Sequence, residues 1–149
     1  NKKLNENNLL SILKKNNIEM ICLAGFMKIL SKNFIKKFKG KILNIHPSLL
    51  PKYGGGMDMD VHRQVLLNGD KKTGCTIHYV NEDVDQGPIL VQKECDVLPK
   101  DNEFTLKDKP YETFIGRGID NKGLLIAQNL KDQRIVKFSS GEVSLKLKK

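Results

Sequence analysis

Residues 18–25 read Ile-Glu-Met-Ile-Cys-Leu-Ala-Gly, and residues 41–44 read Lys-Ile-Leu-Asn after a glycine at 40. The first is a short apolar run stopped by glycine, the pattern of a strand buried in a parallel sheet. Between the two, Ser31 is placed to cap a helix carrying Phe34, Ile35 and Phe38, with Gly40 as its stop. Strand, helix, strand at this spacing is a βαβ unit. The right-handed crossover rule then puts Gly25–Leu30 and Asn44–Pro47 along one edge, where ligands bind in open α/β sheets.

Outward from this unit, Asn7 or Asn8 is expected to cap an N-terminal helix with Leu9, Leu10, Ile12 and Leu13 inward and Lys14 and Lys15 at its end. Pro47–Gly56, with two prolines and three successive glycines, reads as a loop into a helix over 58–68 stopped by Gly69. Thr73–Val80 and Ile89–Val97 flank an acidic loop and predict an antiparallel pair. A helix begins at Glu103, and Pro110 is expected to interrupt it.

Composition excludes several classes. The net charge is +9, but 23 Lys and 3 Arg are scattered along the chain without interleaved aromatics, so no nucleic-acid partner is expected. Cys22, Cys75 and Cys95 lack both a C-x-x-C pair and an even count, which argues against a disulfide framework or a zinc site and for a reducing cytoplasm. The most apolar stretch, 18–30, is broken by Glu19, Gly25 and Lys28, so no membrane association is expected. The opening residues, with no initiator Met, read as a chain entered partway.

Asn44 and His46 stand two apart at a strand end, so their side chains share a face. An amide and a protonated imidazole there could both donate to the oxyanion of a tetrahedral acyl-transfer intermediate. Keeping His46 charged requires a carboxylate to oppose burial, and Asp85 in the acidic loop is the candidate. Taken alone, Asn-x-His-Pro is more often a capped turn than a site. His62 reads as a partly exposed helical residue, His78 as a packed or surface strand residue, and no metal site is expected.

Several motifs in sequence are more specific than any one of them. Leu23-Ala-Gly-Phe-Met-Lys-Ile-Leu-Ser31, Leu43-Asn-Ile-His-Pro-Ser-Leu-Leu-Pro-Lys-Tyr53, Val61-His-Arg-Gln through Gly69-Asp70, Thr73-Gly-Cys-Thr-Ile-His-Tyr-Val80 and Asp83-Val-Asp-Gln-Gly-Pro88 together resemble the phosphoribosylglycinamide formyltransferases. The resemblance runs from about Ile18 to Asp108. It implies an α/β, Rossmann-like formyltransferase domain with a mostly parallel sheet and an antiparallel C-terminal part. It also implies formyl transfer from the cosubstrate 10-formyltetrahydrofolate to glycinamide ribonucleotide in purine synthesis, with no metal.

By position, the resemblance makes Asn44, His46 and Asp85 catalytic. It makes Met27, Lys28, Ile29 and Leu30, with Asn44, folate-binding, Lys28 standing where many members have arginine. Formyltetrahydrofolate deformylase and methionyl-tRNA formyltransferase share the Asn-x-His and the later Asp, and an inactive folate-binding fragment is a further alternative. Against the family pattern, the chain is expected to lack an N-terminal strand and its phosphate-gripping glycine loop. Residues 1–109 are expected to be a partial formyltransferase domain and 110–149 a divergent segment, since the Glu-His pair expected beyond Lys109 is not reproduced.

Overall fold

A computed structural model describes residues 5–57, 59–114, 124–128, 135–139 and 146–147. The order is α1 (Glu6–Lys15), β1 (Met20–Ala24), α2 (Lys32–Lys37), β2 (Lys41–His46), α3 (Met59–Leu67), β3 (Lys72–Tyr79), β4 (Ile89–Asp96), α4 (Glu103–Phe114), β5 (Leu124–Gln128), β6 (Ile135–Ser139) and β7 (Lys146–Leu147). The strands form one sheet in the order β4-β3-β2-β1-β5-β6-β7. The α/β architecture is the expected one, with a different balance of strand directions. Among the described strands β1 and β2 pair in parallel, while β3 and β4 on one side and β5 to β7 on the other pair antiparallel. The parallel arrangement is confined to the βαβ unit, because only there does a helical crossover return the chain in the same direction.

The core forms where the apolar face of α1 meets α2 and the first strands. Leu9, Leu13, Ile21, Leu23, Phe34 and Ile42 are all buried in it, and Phe34 stacks on Phe38 with ring centroids 6.3 Å apart. Ser31 caps α2 as expected, its Oγ accepting from Phe34 N at 3.0 Å. The α1 cap is Asn5 rather than Asn7 or Asn8, its side chain accepting from Asn8 N at 3.0 Å. The helix starts earlier because Glu6 in its first turn accepts from Ser31 N at 2.8 Å and from Ser31 Oγ, a tertiary link between two helix starts that spacing does not reveal.

Other expectations are corrected in detail. Gly40 does not close α2, whose C-cap is Phe38; a Cβ at Gly40 would lie 2.2 Å from Glu19 O, so glycine is there for a close backbone approach. Pro110 lies inside α4 without ending it, at the cost of one intrahelical hydrogen bond. His62 is fully buried with Val61 and Val65, since α4 packs on α3 and the inner face is wider than its apolar residues show. Gly69 does end α3, at φ +64.

The turn into β4 depends on Gly87. A Cβ there would sit 1.6 Å from Tyr79 O, across the antiparallel pair. Gly87→Ala is expected to destabilise the fold by roughly 1–3 kcal/mol through overpacking against a backbone that cannot retreat. A lower urea midpoint at unchanged slope is the expected readout, and an unchanged midpoint would contradict this packing.

Candidate active site

The register of β2 against β3 pairs Asn44 with His78 and His46 with Thr76. Residues at alternate positions share a face, so Asn44, His46, Thr76 and His78 all project from one side of the sheet. The loop 80–88 brings Asp85 over that face. His46 Nδ1 lies 3.2 Å from Asp85 Oδ2, and His78 Nε2 lies 3.4 Å from Asp85 Oδ1, with the three side chains only 4%, 2% and 9% exposed for His46, His78 and Asp85. Asn44 Nδ2 donates to His78 Nε2 at 3.2 Å, while His78 Nδ1 donates to Tyr79 O at 3.0 Å. In that neutral tautomer His78 steadies Asn44; doubly protonated it would instead donate to Asp85.

The loop after β2 supplies the remaining contacts. His46 Nε2 donates to Tyr53 O at 3.1 Å, and Gly55 N donates to Asp85 Oδ2 at 2.8 Å. Both Tyr53 and Asp85 adopt left-handed backbone conformations, φ 61 and 56. Such conformations are uncommon for side-chain-bearing residues and genuine outliers for a bulky one like tyrosine, and they cluster where surroundings over-determine a functional geometry.

Burial is the largest influence on His46 and holds its pKa below the usual histidine value, helped by the neighbouring His78 ring. Asp85 and the Tyr53 carbonyl pull the other way without prevailing, which corrects the expectation that the carboxylate keeps His46 charged. For Asp85, burial pushes the carboxyl up, but the close His78 ring, the hydrogen bond from the Gly55 amide and the neighbouring His46 outweigh it and leave the pKa below the usual carboxylate value. Asp85 is therefore ionised at neutral pH. His46 faces an acceptor at each ring nitrogen, so a second proton is geometrically welcome and is opposed by desolvation and by the neighbouring His78 ring.

This cluster forms one wall of an open cleft. Met27, Lys28, Ile29 and Leu30 line the same cleft, in the irregular segment after β1. They are not equivalent. Met27 and Ile29 are exposed, Lys28 is half-buried, and Leu30, although it lines the cleft, is buried in the core cluster. Among the described residues no group of three His, Cys, Asp or Glu is arranged to hold a metal, and no helix is long and apolar enough to cross a membrane. The three cysteines are free, and burial pushes the Cys75 thiol up to about 12, far from a reactive thiolate.

A family model described as formyl transferase matches residues 1–113. The chain belongs to the formyl transferase family. It is 47% identical over 97 residues to the trifunctional purine biosynthetic protein adenosine-3 of Drosophila melanogaster, an alignment covering 65% of this chain and 7% of that protein. The human protein of the same name is 47% identical over 98 residues, covering 66% and 9%. Among solved structures, phosphoribosylglycinamide formyltransferase from Anaplasma phagocytophilum superposes with a TM-score of 0.67 at 37% identity, covering 73% of this chain and 51% of that one. The Brucella melitensis enzyme gives 0.65 at 42% identity, covering 72% and 54%. This formyl transferase chain thus spans about half the length of those solved structures and under a tenth of the trifunctional proteins.

Within the formyl transferase frame, the structure brings Asn44, His46 and Asp85 together and places Met27–Leu30 in the lining of the same cleft. Two participants escaped the sequence reading. His78 was read as a packing residue because alternation gives its face but not its partner; the signal was its place in the strand aligned with Asn44. Tyr53 was passed over because it acts at the site through its backbone carbonyl, which no residue pattern encodes.

Proposed function

We propose that the chain carries the reaction centre for transfer of a formyl group from 10-formyltetrahydrofolate to the amine of glycinamide ribonucleotide in purine synthesis. The observation that carries this reading is the arrangement of Asn44 and His46 on one cleft wall with Asp85 and the Tyr53 carbonyl on the two nitrogens of His46. The names borne by the related proteins support the choice of acceptor. Met27–Leu30 and Asn44 would bind the folate, and no metal takes part. Residues 1–109 would form the functional unit with 110–149 as a divergent appendage, in the cytoplasm, without nucleic acid or membrane.

The acceptor's own neutral amine is the nucleophile, so no enzyme serine or thiolate is needed. As nitrogen attacks the formyl carbon, the carbonyl oxygen gains negative charge. Nε2–H of His46, held meanwhile by the neutral Tyr53 carbonyl, turns to this stronger charged acceptor. The developing charge also supplies what burial withholds, favouring the charged imidazole in the transition state more than in the ground state. Asn44 donates a second hydrogen bond from its amide. Collapse of the intermediate expels the folate nitrogen, which takes up a proton as the amine loses one. Orientation of two substrates is worth roughly 7–11 kcal/mol and a key oxyanion donor about 3–4.

The test is formyl transfer with glycinamide ribonucleotide, water and charged tRNA as competing acceptors, in this chain and in a form including any upstream coding sequence. Transfer to the ribonucleotide is expected. Transfer only to water would make it a deformylase and transfer only to tRNA a methionyl-tRNA enzyme, while no transfer in either form would leave a folate-binding fragment at most.

A further inference from the structure

The loop 47–56 touches both His46 and Asp85 through its backbone, and its own anchor lies outside the cleft. Tyr53 OH donates to Asp70 Oδ2 at 2.7 Å, and Asn68 Nδ2 donates to Tyr53 OH at 2.8 Å. Lys52 Nζ donates to both oxygens of the same carboxylate at 2.6 and 2.7 Å and lies 5.2 Å from the Tyr53 ring centroid. Asp70 is itself fixed, directly after Gly69 at the end of α3, its N–H donating to Val65 O at 3.2 Å. Further back, Leu50 N donates to Thr76 Oγ1 at 3.0 Å and Gln92 Nε2 donates to Leu50 O at 2.8 Å. The loop is therefore tied at its base to the sheet and at Lys52 and Tyr53 to Asp70. From there Tyr53 O reaches His46 and Gly55 N reaches Asp85, at 3.1 and 2.8 Å.

We infer that Asp70 is a positioning residue: by gripping the side chains of Lys52 and Tyr53 it aims the Tyr53 carbonyl and the Gly55 amide at His46 and Asp85. Its use in catalysis rests on the function proposed above; its coupling to His46 does not. Tyr53 makes the link narrow. Its hydroxyl is held on Asp70 and its carbonyl on His46, with only one left-handed residue's backbone between them. A displacement at the hydroxyl is therefore passed to the carbonyl rather than absorbed by a flexible stretch.

The groups facing His46 are Asp85 from the loop after β3, His78 from β3 and the Tyr53 carbonyl from this loop. Asp85 and the carbonyl raise its proton affinity, so slackening the grip moves the titration of His46 to lower pH. The experiment is an NMR titration of the His46 ring, assigned through its loss in His46→Ala, in the parent, Tyr53→Phe, Asp70→Asn and Lys72→Ala. Tyr53→Phe deletes one oxygen and keeps the ring. Lys72→Ala is the control, since it breaks an exposed ion pair with Glu94 that has no tie to the loop.

Both variants are expected to lower the His46 midpoint and displace its ring signals, with Tyr53→Phe combined with Asp70→Asn no worse than Asp70→Asn alone, and the control unchanged. An unchanged midpoint in both loop variants would overturn the inference, as would a rise, which would mean that the network only excludes water. Turnover is read in parallel. A loss of kcat of roughly ten- to a hundredfold is expected in the loop variants, with its alkaline limb moved the same way. Coupled NMR shifts in a parent that transfers no formyl group would leave the positioning intact and defeat the proposed function.

Discussion

His46→Ala is expected to reduce formyl transfer by roughly a hundred- to a thousandfold while the protein stays folded. Loss of an oxyanion donor typically costs about 10²–10³ in turnover, and here the same side chain organises Asp85 and faces the Tyr53 carbonyl. The loss should fall on kcat with the folate KM little changed, because the donor is engaged only as charge develops and Met27–Leu30 are untouched. Folding should survive at some cost in stability: a cavity is left and the Tyr53 carbonyl loses its partner, but Asp85 keeps its hydrogen bond from the Gly55 amide and the apolar core is untouched. Single-turnover rates with a thermal melt on the same sample provide the check. Near-parent transfer by a folded His46→Ala would defeat the mechanism.

Asp85→Asn is expected to cost nearly as much at neutral pH, and the way it fails is diagnostic. Burial already holds His46 below the usual histidine pKa, and Asp85 is the chief influence opposing it. Removing that charge lets the pKa fall further. The active charged form of His46 exists below its pKa, so activity declines as pH rises through it, and the alkaline limb of the rate profile must move to lower pH in Asp85→Asn. Stability shifts in the same variant for a separate reason. Asp85 has a lowered folded pKa, so in the parent its contribution is present above the unfolded carboxylate value and lost as pH falls through the folded one. The variant should therefore lose part of the parent's acid sensitivity to unfolding. A rate profile that keeps its alkaline limb would separate Asp85 from His46 in function despite their contact.

Local signals predicted much of this and long-range ones did not. The βαβ unit was legible because Ile21, Leu23 and Ile42 are apolar in short runs bounded by glycine, and Ser31 because a cap acts within one turn. The pairing of His46 with Asp85 was legible only as a requirement, a buried imidazole needing a carboxylate, with the geometry supplied by β2 lying against β3. Where the reading went wrong, distant parts of the chain had intervened. Glu6 reaches Ser31 and draws the α1 cap back to Asn5, Gly40 exists for Glu19, and α4 buries His62. The sheet is less parallel than expected because β5 runs antiparallel against β1, and nothing in β1 records its neighbour's direction. Backbone groups were beyond any residue pattern, as the Tyr53 carbonyl and the Gly55 amide illustrate.

Asp85 turns its two oxygens to different rings, Oδ2 to His46 and Oδ1 to His78. One negative charge thus stands between two buried rings, and the His78 ring opposes a second proton on His46. The cluster has room for a single compensated cation, and its neutral count is an imidazolium, an imidazole and a carboxylate. One carboxylate can match one positive charge on this face, so a cation held by His46 leaves no counter-ion there for a second.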